Sequence, residues 1–331
     1  MASVQIRDMD ADVPGSVKMT KWVMACAIVC CVSQILWFGS KCIHQIDYDG
    51  MAYTGIARHL RQGEWHEAVN AFRSPLLSWL IAAATFEGKS YPETGKVINV
   101  AAFLLSGALL YLLTKKLWQS SLAASVATLL FALGRGLAAA TVAMITPDFL
   151  FASLTLVCFV ILLRCLRKNG LLDWFALGTV HGVAFLAKAF ALPWLAVCTA
   201  VAVILSAGGW KTKIARLSAA ALVPVLVPAA WMMVLHAKYG VYTTGTQFKA
   251  NLFQWTLHVS DDQISKDDSE AIYRVLRDST KEIDDYMVDD PMPPGSGLWR
   301  YPIRMKAVLP KIWIAVERNV PQVLKETELC T

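Results

Sequence analysis

Apolar residues along this chain arrive in blocks, and short basic connectors separate the blocks. Runs at 22–40, 96–114, 121–141, 149–166, 171–188, 190–207 and 217–236 each approach the ~20 residues that a helix needs to cross hydrocarbon. One further run, 76–86, is about half that length and predicts a re-entrant or interfacial segment. The pattern therefore predicts an all-α multi-pass membrane protein of about seven transmembrane helices. The block around Trp22 lacks a small-residue cleavage site and leads straight into the chain, so it reads as a retained first span.

Composition sharpens this picture. The chain has 331 residues, 56% hydrophobic and 17% charged, against about a quarter charged in a soluble domain. Its net charge of +6 is not a nucleic-acid signature, because the cations lie between apolar blocks instead of along one face. Their placement sets the topology. Lys18 and Lys21 precede the first span, and Lys115 and Lys116 follow the second. Arg164, Arg167 and Lys168 close the fourth, and Lys211, Lys213 and Arg216 follow the sixth. If 76–86 does not cross, all four groups fall on the cytoplasmic side. Three regions result: a cytoplasmic tail 1–20, a membrane module 21–236 with a first outer loop 41–95, and an extracytoplasmic polar tail 237–331.

That topology puts Asp49 and Asp148 at the same outer interface, where paired carboxylates are expensive and usually functional. The loop HQIDYDGMAYTGIARHLRQG predicts a surface helix, with Asp49 as N-cap and Gly63 as the C-terminal stop. Met51, Ile56, Ala57 and Leu60 would share its apolar face, leaving Arg58 and Arg61 toward the polar side. In FRSPLLSWL, Arg73 precedes a proline suited to a first helical turn, where an anion is favoured. For each of these residues a plainer role competes: Asp49 and Asp148 as helix caps, Arg73 and Lys188 as snorkelling cations. Arg135 is different, because an arginine inside a span faces a cavity or a partner more often than lipid. His181, in mid-span, reads as a helix–helix hydrogen bond. The tail predicts an acidic amphipathic helix over 268–286.

These motifs resemble those of the GT-C glycosyltransferases that use polyprenyl-phosphate sugars, in the aminoarabinose-, galacturonic acid- and mannose-transferring branches. The resemblance rests on Asp49, Tyr53, Ile56, Ala57 and Arg58 in the first outer loop, followed by Pro75, Leu76 and Leu77. ITPDFLF, with Pro147 and Asp148, and GVAFLAK, ending at Lys188, follow in the family's order. Asp47 or Asp49 can be the loop acid, and the spacing to Tyr53 favours Asp49. The likeness covers residues 20–236, where the family continues into further spans, so the chain reads as a short or truncated member.

The resemblance implies transfer of a sugar, with inversion, from a polyprenyl-phosphate donor to a lipid, glycan or protein acceptor at the outer face. Asp49 would be the base, with Asp47 as the alternative loop acid and Asp148 orienting the acceptor or helping to position Asp49. Arg73, Lys188 and Arg135 would bind the donor phosphate, and Tyr53 and Arg58 would belong to the loop helix. Some relatives place a divalent metal, Mg or Mn, on that phosphate, and Asp47, Asp49 and Asp148 are its candidate ligands. Membrane lipids are the other expected partners, in a bacterial inner membrane. A transporter or lipid-linked sugar flippase is the rival class, although the sequence shows no convincing internal repeat.

Overall fold

The computed structural model describes residues 14–42, 45–86, 90–168, 170–240 and 242–245. His44 and the expected tail helix 268–286 lie outside the described residues. The described chain is helical throughout: α1 (Pro14–Cys42), α2 (Tyr48–Gln62), α3 (Trp65–Ala68), α4 (Pro75–Ala84), α5 (Tyr91–Trp118) and α6 (Ser121–Ala132), then α7 (Arg135–Ala143), α8 (Asp148–Lys168), α9 (Leu171–Ala187), α10 (Ala191–Leu205) and α11 (Trp210–Tyr239). By length and composition, α1, α5, α8 and α11 can each cross a membrane. Pro75 opens α4, which has only 10 residues, about 15 Å, and is too short to span.

Three expected spans take a different form. The run 121–141 is not one helix but two, α6 and α7, bent by 57°. The Gly134 backbone, at φ −68° and ψ 77°, leaves the helical region and interrupts the ladder. The Gln34 side-chain amide on α1 donates to the Ala132 carbonyl at 2.9 Å, which satisfies a group at the break. The runs 171–188 and 190–207 form α9 and α10, of 17 and 15 residues. The turn between them is tied by His181, whose Nε2 lies 3.2 Å from the Ala191 carbonyl oxygen.

Contacts group the described residues into two units, one drawn from Met1–Ala68 and Pro75–Ala229, the other from Val69–Ser74 and Ala230–Thr331. In the first, α1 packs on α6 and α7, α5 packs on α6 and α8, and α8 packs on α9. Trp174, Leu177, Ala184, Leu195 and Ala220 form its largest buried cluster with Cys158 and Cys165, which serve there as small hydrophobes. Glycines let helices meet closely: Gly178 faces the Ala220 backbone, and Gly182 faces Val223. In the second unit, the Lys238 ammonium and the Tyr239 hydroxyl both donate to the Val69 carbonyl, at 3.0 and 2.9 Å.

Within the first unit the two ends differ. At one end, Arg167 donates to the Lys116 carbonyl at 2.9 Å, Arg164 pairs with Asp173 at 2.7 Å, and Arg216 bonds the Ser206 hydroxyl at 2.9 Å. The basic groups of α5, α8 and α11 therefore gather at one end. From there α8 runs 21 residues, about 31 Å, to Asp148 at the other.

Candidate functional site

The acid-bearing end is built around Ile145. This residue is fully buried in the segment between α7 and α8. A Cβ on Gly50 would lie 3.0 Å from the Ile145 Cβ, and one on Gly95 would lie 2.8 Å from its Cγ2. Both positions therefore need glycine for α2 and α5 to close on this side chain. The Ile145 backbone N–H donates to Asp47 Oδ1 at 2.8 Å, and the same oxygen accepts from the Gly50 N–H at 3.2 Å. Asp47, with extended backbone, is thus the N-cap of α2 and also its tie to the 144–148 segment.

This corrects the expected cap. Asp49 is not the N-cap; it lies in the first turn of α2, half-buried, where a carboxylate suits the positive end of the helix. The C-terminal stop stands as expected: Gly63 has φ 78°, and its N–H reaches the His59 and Leu60 carbonyls. The buried face of α2 is Tyr53, Thr54, Ile56 and Ala57, while Met51 is exposed. Tyr53 is fully buried against Leu77, Ile81 and Ile145, and its carbonyl accepts from the Ser78 hydroxyl at 3.0 Å. Its place is in the packing of the loop helix on α4. Arg58 is exposed.

Asp148 opens α8 as a first-turn residue, not as a cap before the helix. Its Oδ1 receives a hydrogen bond from Lys188 Nζ, and the Thr146 side chain bonds the same carboxylate. Lys188 is the C-cap of α9, held by its own N–H on the Ala184 carbonyl. The structure thus joins Asp148 to Lys188, and Asp47 joins the start of α2, with Asp49, to the segment leading into Asp148.

Two further candidates remain, Arg135 and Arg73. Arg135 starts α7, exposed at the break and eight residues before its last, about 12 Å away along the axis. Arg73 belongs to the second unit. It is buried, its guanidinium lies 4.6 Å from the Phe72 ring centre, and its backbone N–H donates to Asn70 Oδ1 at 2.8 Å. A divalent cation does not fit the acids as placed. Asp47 spends an oxygen on two backbone N–H groups and Asp148 is engaged by Lys188. Among the described residues, no three acidic, histidine or cysteine side chains converge as ligands. An apolar recess of about 430 Å³ opens between α1, α5 and α6, and no charged residue lines it.

Two residues escaped the sequence reading. Lys96 and Asn99 open a run that the pattern reads as an ordinary span, yet both are buried. Lys96 Nζ donates to the Cys42 carbonyl at 2.6 Å, and the Asn99 amide donates to the Met144 carbonyl at 2.8 Å. A lysine and an asparagine three residues apart in an otherwise apolar helix were the available signal.

Helices and site define an all-α multi-pass membrane protein with an acid–lysine pair at one end of its bundle. Residues 73–232 match the family model described as dolichyl-phosphate-mannose-protein mannosyltransferase. The chain is also 32% identical over 151 residues to the undecaprenyl phosphate-alpha-4-amino-4-deoxy-L-arabinose arabinosyl transferase of Pseudomonas paraeruginosa (strain DSM 24068 / PA7). The protein of the same name from Pseudomonas aeruginosa (strain UCBPP-PA14) gives the same identity over the same length. Each alignment covers 44% of this chain and 27% of the relative, so the chain spans about a quarter of the length of the curated relatives it matches. No solved structure shows significant similarity. These partial matches agree with the resemblance carried by the loop motifs.

Proposed function

We propose that this chain carries the catalytic membrane module of a glycosyltransferase that moves a sugar from a polyprenyl phosphate to an acceptor hydroxyl. The observation that carries the proposal is the Asp47–Ile145 hydrogen bond of 2.8 Å, which docks the helix bearing Asp49 onto the segment leading into Asp148 and Lys188. The acceptor oxygen attacks the anomeric carbon as the bond to the phosphate oxygen breaks, with inversion. Asp49 takes the hydroxyl proton, and the polyprenyl phosphate leaves as an anion. Lys188 meets that developing charge, and Asp148 holds the ammonium in place until it does. The basic end of the bundle lies in the cytoplasm, so the acids face outward, as in the inner membrane of a bacterium. The names of the relatives and of the family make undecaprenyl-phosphate aminoarabinose and dolichyl-phosphate mannose the first donors to test.

One feature favours a second reading. The break between α6 and α7, with Arg135 exposed beside it, is of the kind that lines pathways in transporters. One assay separates the two readings: release of free polyprenyl phosphate from these donors in nanodiscs. A transferase breaks the sugar–phosphate bond, and Asp49→Asn lowers kcat by about 10²-fold or more. A flippase moves the donor intact and releases nothing. Release that is equal in wild type and Asp49→Asn would exclude Asp49 as the base.

A further inference from the structure

Lys96 takes no part in the transfer step, yet it is only 6% exposed near the outer end of α5. A buried ammonium within a spanning helix is unfavourable unless its protons and its charge are both answered. The Cys42 carbonyl answers one proton at 2.6 Å. That oxygen belongs to the last residue of α1, where carbonyls have no partner within the helix and the dipole favours a cation. Burial opposes the charge, and Asp47 lies near enough to favour it electrostatically. Asp47 in turn holds the N–H groups of Ile145 and Gly50, and Asn99 holds the neighbouring Met144 carbonyl. Lys96 and Asn99 stand three residues apart on α5, on one face of the helix. Four segments therefore meet in one buried polar latch: the end of α1, the start of α2, α5, and residues 144–145.

We propose that Lys96 is a positioning residue: it anchors the end of α1 and the Asp47 carboxylate so that α2 docks on the 144–148 segment. Its consequence for catalysis rests on the function proposed above, because the docking ties the helix that bears Asp49 to the segment leading into Asp148. The latch itself stands on the geometry alone.

Hydrogen exchange on the full chain in nanodiscs tests it, read at the peptides covering 46–51 and 144–148. Lys96→Met speeds exchange of both by about tenfold, leaves α9 and α10 unchanged, and Lys96→Arg restores protection. In donor turnover, Lys96→Met lowers kcat while KM moves less than about twofold, and Lys96→Arg recovers kcat. Wild-type exchange at both peptides in folded Lys96→Met overturns the proposal. Should that variant fail to fold, Asp47→Asn decides by the same readout. It keeps a capping oxygen and removes the charge, and unchanged exchange again overturns the proposal. A wild type that turns over no donor removes the proposed function, and the exchange comparison still judges the latch.

Discussion

Gly178→Ala puts the packing of α9 to a direct test. A Cβ built on Gly178 lies 2.3 Å from the Ala220 carbonyl oxygen and 2.9 Å from its carbon, and both are backbone atoms of α11. Ordinary contact needs about 3.4 Å, so the two helices must part by about 1 Å. Overpacking of this kind destabilises by about 1–3 kcal/mol, and a backbone obstacle that cannot rotate away puts the change near the upper value. Replacing a mid-helix glycine by alanine returns about 0.5–1 kcal/mol. The net loss is therefore about 2 kcal/mol, or roughly 3 °C in Tm for a chain of 331 residues. The shift also moves the α9 end that carries Lys188, so donor turnover falls along with stability. Thermal unfolding in detergent is the assay, with Gly136→Ala as control, since a Cβ there meets nothing within 4 Å. A Gly178→Ala protein that melts with or above wild type would refute the close approach of α9 and α11.

Gly55 makes the opposite case: it lies inside α2 with nothing within 4 Å of its added Cβ, so Gly55→Ala raises Tm by about 1 °C in the same assay. The Asp148–Lys188 pair separates stability from activity. Because Asp148 is 56% and Lys188 30% exposed at the side chain, Lys188→Met changes unfolding stability by less than about 1 kcal/mol. The same substitution lowers kcat for polyprenyl phosphate release by about 10²-fold, and single-turnover kinetics read that loss apart from binding.

What was legible in the sequence depended on how local its cause was. Gly63 ends α2 through its own positive φ, a signal contained in one residue. Pro75 and the shortness of α4 were equally local. The start of α2 was not, because Asp47 and Asp49 are both good caps and the choice is settled by the Ile145 N–H, 98 residues away. The break at Gly134 hides inside a continuous apolar run, where one glycine is a weak signal until α1 supplies Gln34 to satisfy the Ala132 carbonyl. Asp148 and Lys188 stand out in the sequence through the resemblance, and their contact follows from the packing of α8 on α9. Arg135 reads in the sequence as lying inside a span, and the bend makes it a helix start on an exposed surface.

The brevity of α9 and α10 bears on the lipid around them. At 17 and 15 residues they measure about 25 and 22 Å, against a hydrocarbon layer of about 30 Å. A shortfall of several ångströms is met by local thinning of the bilayer, at a fraction of a kcal/mol per ångström. Their shared corner is the one that carries Lys188, beside Asp148. In the transferase proposed above, a head-group boundary that dips toward the acid–lysine pair would let a donor phosphate meet Lys188 without leaving the leaflet. Acyl-chain length then becomes a control on the chemistry, with thicker membranes drawing the phosphate plane away from the ammonium.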